Sequence, residues 1–121
     1  MNWDKSKPWF HGSPIILTEL LEGSTITQNS EIAKIFSHKP TVVSMDDQGG
    51  FFHNGSMAGY LYIIDEPLTP TDIFPHPNTT MEAGVEWLIH RPLKVKKIME
   101  TKVDPTQCLS EAEIKHLSKL L

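Results

Sequence analysis

Several things are scarce in this chain, and each shortage removes a class of protein. Cys108 is the one cysteine among 121 residues. An internal disulfide and a thiolate metal cluster are both excluded, and with no activating His or Arg beside it in sequence the thiol reads as inert. No apolar run approaches the roughly 20 residues that a membrane helix needs, so no membrane partner is expected. Met1-Asn2-Trp3-Asp4-Lys5 carries no apolar leader core, and the cytoplasm is the expected compartment. On that reading Asn54-Gly55-Ser56 and Asn78-Thr79-Thr80 match the glycosylation pattern by chance. Positive charge is short as well, with 11 Lys and Arg against 15 Asp and Glu and a formal net charge of −4. Without a basic stripe, a nucleic-acid partner is not expected, and Lys94, Lys96 and Lys97 read as a solvated strand face. The chain holds no P-loop, no Gly-x-Gly-x-x-Gly and no Gly-x-Ser-x-Gly. Its six histidines show no metal-ligand spacing, and no metal is expected.

What is present describes an ordinary globular domain, 39% hydrophobic and 21% charged. A single domain over residues 1–121 is expected, with its core over about 9–98 and a terminal helix over about 110–121. Residues 1–8 are polar and read as loose, with Trp3 and Trp9 available as anchors. Trp9-Phe10-His11 reads as a short strand ended by Gly12-Ser13-Pro14, and Ile15 to Leu21 as an apolar run too short to classify, a turn of helix being one reading. Ser24 to Thr27 is β-rich. Asn29 or Ser30 can then cap a helix whose Ile32, Ala33, Ile35 and Phe36 share one face, stopped by Lys39-Pro40. Thr41 to Met45 reads as a strand, Asp46 to Gly59 as an exposed loop, and Gly59 to Asp65 as a central strand. Four prolines between Pro67 and Pro77 forbid regular structure there. Val85 to Ile89 and Leu93 to Ile98 read as two more strands. Ser110 and Glu113 form a capping box for the last helix, with Leu109 stapling to Ile114 and an apolar face of Ile114, Leu117 and Leu121. Consecutive strands without intervening helices make this an α+β fold with a mixed or antiparallel sheet.

Two local patterns could carry chemistry. His11-Gly12-Ser13 sets a ring nitrogen beside an uncovered backbone amide and carbonyl, which suits a carboxamide or a ribose hydroxyl; it also reads as a His closing a tight turn. Glu86 beside Trp87 can be partly desolvated, which would suit it to general-base work, to charge stabilisation or to gripping a ribose hydroxyl; it also reads as a surface carboxylate alternating with a core aromatic. Asp72 and Arg91 could stand on a cleft rim, and Tyr60 and Tyr62 share a strand face.

In their order, Phe10-His11-Gly12-Ser13, Thr25-Ile26-Thr27, Gly59-Tyr60-Leu61-Tyr62-Ile63-Ile64 and Arg91-Pro92-Leu93-Lys94-Val95 resemble the ADP-ribosyltransferase superfamily. The chain is most similar to the short bacterial rifamycin-modifying ADP-ribosyltransferases. The resemblance spans roughly Trp9 to Ile98 and implies a small split mixed or antiparallel sheet with few flanking helices. It implies NAD as the substrate and ADP-ribose transfer to an unknown small-molecule or protein acceptor, or hydrolysis of NAD. His11 and Gly12 would contact nicotinamide and ribose with Ser13 beside them, and Thr25, Thr27 and Tyr60 would complete the NAD site. Glu86 would be the catalytic acid, assisted by His11; in the rifamycin-modifying branch the acid lies earlier, which favours Asp65 or Asp72. Thr25 departs from the family, where a stacking Tyr often stands, and Ser24, Thr25 and Thr27 resemble the Ser-Thr-Ser motif of another branch. That departure keeps a second implication open, a non-catalytic ligand- or protein-binding module on the same fold. A third is an RNA 2′-phosphotransferase-like activity, against which the missing basic surface counts.

Overall fold

A computed structural model describes residues 3–45, 48, 50–79, 81 and 84–120. In chain order the elements are β1 (Phe10–Ser13), β2 (Glu19–Leu20), β3 (Thr25–Ile26), α1 (Ser30–Phe36), β4 (Val43–Met45), β5 (Phe51–His53), β6 (Gly59–Ile64), β7 (Ile73–Pro75), β8 (Trp87–Ile89), β9 (Leu93–Thr101), a 3-10 turn at Pro105–Gln107, and α2 (Glu111–Leu120). The chain is a small, sheet-dominated α+β protein with few helices. One sheet runs β1-β6-β9-β2, a second β3-β8-β7, and β4 pairs with β5. Every strand pair among the described residues is antiparallel. The register of β6 against β9 passes from Leu61↔Met99 to Tyr62↔Lys97, so Ile98 is the extra residue of a β-bulge.

The two larger sheets join through β3. Phe10 and Thr27 exchange both backbone hydrogen bonds, at 2.7 and 3.0 Å, while Thr25 and Ile26 pair with Leu88 and Trp87 of β8. Between the sheets lies a core of Trp9, Leu20, Ile26, Tyr62, Ile73, Trp87, Ile89, Leu93 and Val95. The three tryptophans Trp3, Trp9 and Trp87 meet edge to face at 5.5–5.9 Å between ring centres. Each such pair adds roughly 0.5–1.5 kcal/mol beyond simple burial. Residues 3–8 are consequently fixed rather than loose. Gln28 adds to the hold: its carboxamide donates to the carbonyls of Asp4 and Lys7 and accepts from the Asp4 N–H.

Helix α1 begins where a capping side chain is available. Asn29 accepts from the N–H groups of Glu31 and Ile32, and Ile32, Ala33 and Ile35 are buried beneath the helix. Its C-terminal half rests on two glycines of the sheet. A Cβ on Gly12 would lie 1.7 Å from the Ala33 carbonyl oxygen, and one on Gly59 would lie 2.4 Å from that of Ser37. The buried Ser37 then meets Thr101 of β9, hydroxyl to hydroxyl, at 2.5 Å.

Several local expectations are corrected. Strand β1 continues through Gly12 and Ser13, because both pair with β6. Ile15 to Leu21 is not helical: the Tyr62 hydroxyl accepts from the Leu17 N–H and donates to the Ile15 carbonyl, and Glu19–Leu20 pairs with β9. The span from Asp46 to Gly59 holds β5 and the fully buried His53. The proline-rich stretch holds β7, with Pro75 at its end, where the missing N–H costs no ladder bond. Strand β9 runs on to Thr101. In the C-terminal capping box Ser110 and Glu113 exchange their hydrogen bonds at 3.0 and 3.1 Å. The side chains of Leu117 and Leu121 lie outside the described residues. No helix among the described residues is long and apolar enough to cross a membrane.

Candidate functional site

Strands β1 and β3 meet at a cleft of about 430 Å³ lined by His11, Gly12, Gly23, Ser24, Thr25, Phe36, Lys39, Pro40 and Glu86. Its residues come from distant parts of the sequence for a topological reason. The Phe10–Thr27 bridge sets β1 beside β3, and the β3–β8 register carries the start of β8, with Glu86 just before it, to the same place. The end of α1 supplies Phe36, and Lys39 follows three residues later in the left-handed region at φ +56°, bonded back to the Phe36 carbonyl at 3.0 Å. A non-glycine residue held there costs about 1–2 kcal/mol.

His11 is oriented by one bond. Its Nδ1 lies 2.7 Å from the Thr25 carbonyl oxygen. A carbonyl only accepts, so Nδ1 carries the proton and Nε2 of the neutral ring keeps its lone pair. Burial holds the imidazole below its usual pKa, and the Thr25 carbonyl opposes this only in part. The cleft therefore contains a neutral histidine with an acceptor nitrogen.

Glu86 is half-buried beside the buried Trp87. Its carboxylate Oε2 accepts from the Thr79 hydroxyl at 2.8 Å, and its carbonyl accepts from the His76 N–H at 2.9 Å. The loop between β7 and β8 thus grips Glu86 at backbone and side chain together. Among the described residues lining the cleft, Lys39 is the one Lys or Arg and Glu86 the one carboxylate.

The structure brings His11, Gly12, Thr25 and Glu86 together; Ser13, Thr27 and Tyr60 lie elsewhere. Ser13 is buried and accepts from the Ile15 N–H, and Thr27 is buried and accepts from the Asn29 N–H just before α1. Tyr60 packs on Tyr62 at 6.3 Å between ring centres, beneath the Lys97 ammonium. Gly12 is packed under the Ala33 carbonyl, so helix packing accounts for its missing side chain. Neither alternative acid lines the cleft. Asp65 is exposed. Asp72 is ion-paired with Arg91 at 2.9 Å, and that partner holds its carboxyl at a pKa of about 2. Arg91 also reaches Glu66 at 2.6 Å, so the expected rim charges form a closed cluster.

Sequence reasoning overlooked Phe36 and Lys39 as cleft residues. Phe36 sits on the apolar stripe of α1, which reads as core, and Lys39 reads as a helix stop. A terminal aromatic followed closely by Lys-Pro was the available signal. Among the described residues no group of three or more His, Cys, Asp or Glu could hold a metal ion. No family model, curated protein or solved structure matches the chain.

Proposed function

We propose that this protein binds NAD in the His11–Glu86 cleft, on an ADP-ribosyltransferase-like split sheet, and transfers ADP-ribose to a small-molecule or protein acceptor or hydrolyses NAD. One observation carries the reading: His11, Gly12, Thr25 and Glu86, drawn from three separate stretches of sequence, line a single cleft. The chemistry suits the ligand. The His11 Nε2 lone pair can accept from the carboxamide N–H₂ of nicotinamide or from a ribose hydroxyl. Phe36 offers the aromatic face that Thr25 cannot. Glu86 is the acceptor for a ribose hydroxyl and the negative charge beside the anomeric carbon.

In the reaction the C1′–N bond breaks with its electron pair going to the nicotinamide ring, which leaves neutral. The ribose carbon becomes an oxocarbenium-like cation, stabilised by the Glu86 carboxylate. Water or the acceptor then attacks C1′ through oxygen or nitrogen and passes its proton to the solvent. Replacing Glu86 by Ala is expected to lower nicotinamide release by about 100-fold or more, and replacing His11 by Ala to abolish NAD binding, with the fold retained in both. Calorimetry and chromatographic detection of nicotinamide read both outcomes. If millimolar NAD neither shifts the melting temperature nor releases nicotinamide, the proposal fails. Thr25 in place of a stacking aromatic favours one second reading, a non-catalytic module on the same fold. It would bind NAD or another ligand without turnover.

A further inference from the structure

The geometry points to Thr79 as a positioning residue for Glu86, one that fixes how its carboxylate meets the ligand. The inference rests on the NAD reading above. Thr79 lies in the loop between β7 and β8, four residues past Pro75 and two past Pro77. Its hydroxyl oxygen accepts from the Met81 N–H at 3.0 Å, which leaves its proton free to donate to Glu86 Oε2 at 2.8 Å. The loop is itself tied down, because Asn78 N–H donates to His76 Nδ1 at 3.0 Å and His76 N–H donates to the Glu86 carbonyl at 2.9 Å. Thr79 is thus held on the same short loop that fixes the Glu86 backbone.

The consequence concerns position. The last torsion of a glutamate is broad, so an unrestrained carboxylate turns readily. The Thr79 bond to Oε2 selects one orientation of the carboxylate. Oε1 has no hydrogen-bond partner among the described residues. Held this way, Glu86 presents Oε1 as an acceptor for a sugar hydroxyl, as a ribose would supply.

The test compares Thr79→Val, which keeps the shape and removes the hydroxyl, with Thr79→Ser, which keeps the hydroxyl, and with Glu86→Gln. Affinity is titrated with ADP-ribose and nicotinamide, and NAD turnover is measured alongside. Thr79→Val is expected to weaken ADP-ribose binding about tenfold and to lower kcat for NAD about tenfold. Nicotinamide affinity should be unchanged, and Thr79→Ser should restore wild-type values. The double variant Thr79→Val/Glu86→Gln should match Glu86→Gln alone, because the hydroxyl acts only through that carboxylate. If Thr79→Val equals wild type while Glu86→Gln loses binding and turnover, the positioning role is overturned and the NAD reading stands. Equal loss of nicotinamide binding in Thr79→Val, or no rescue by Ser, marks a merely structural residue and also overturns it. Should wild type bind neither ADP-ribose nor nicotinamide, the NAD reading falls and this inference with it.

Discussion

At the scale of single residues, His11 shows how one bond sets chemistry. Its Nδ1 donates to the Thr25 carbonyl, which leaves Nε2 as the acceptor the cleft can offer. Asparagine in the same place can keep the first function and lose the second, since its amide nitrogen falls near Nδ1 and nothing replaces Nε2. His11→Asn is therefore expected to cost no more than about 1 kcal/mol of stability, the worth of one hydrogen bond. The same change should weaken NAD binding at least tenfold. Urea denaturation and calorimetry on the same sample separate the two effects; equal affinity in the variant would remove Nε2 from the site. Asn54 illustrates the opposite case, a residue whose pattern suggests modification and whose side chain is occupied. Its carboxamide accepts from the N–H groups of Thr41 and Val42 and donates to the Thr41 hydroxyl, closing the turn before β4.

At the scale of elements, the decisive contact is α1 against β1 and β6. Helix and sheet approach so closely at Gly12 that a methyl group there would collide with the Ala33 backbone, which cannot swing aside as a side chain can. Gly12→Ala is expected to destabilise the protein by about 3 kcal/mol or more, at the upper end of overpacking effects. It should also open the cleft, because Phe36 and Lys39 ride on the end of the displaced helix. The denaturation midpoint measures the first effect, and a loss of under about 1 kcal/mol would show that the helix can shift without strain. The glycine in the opening motif is thus required by packing whether or not a ligand approaches it.

For the whole molecule, acid sensitivity follows from two histidines, the fully buried His53 and the half-buried His11. His53 is fully buried; its Nδ1 accepts from the Gly55 N–H at 3.0 Å, so the proton sits on Nε2, which has no partner among the described residues. Burial lowers its pKa; the neighbouring His38, stacked at 5.5 Å, acts in the same direction and Asp104 opposes it. His11 is lowered as well. In the unfolded chain both titrate near the usual value of about 6.5. Below that pH the unfolded state binds more protons than the folded one, so stability is intact above about pH 6.5 and declines as the pH falls. A further loss should begin below about pH 4, the usual carboxylate range, where Asp72, held at about 2 by Arg91, and Glu66 begin to be protonated in the unfolded state. Urea midpoints from pH 8 to 3 should trace both steps, with the first reduced in His11→Asn. A flat profile between pH 7 and 5 would contradict it.

What the sequence determined by itself was whatever depends on near neighbours. The cap at Asn29, the face of Ile32, Ala33 and Ile35, the strand at Gly59–Ile64 and the box of Ser110 and Glu113 all rest on hydrogen bonds or side-chain periods only a few residues long, and such rules are legible in a string. The resemblance added His11 and Glu86 as a pair, without a geometry. Tertiary structure alone decided the rest. The burial of His53, the pairing of β7 amid prolines and the fixing of Trp3 depend on partners far along the chain, to which local propensity is blind. The same holds for the cleft. His11, Phe36 and Glu86 meet because β3 pairs on one edge with β1 and on the other with β8, and no spacing in the sequence encodes that double pairing.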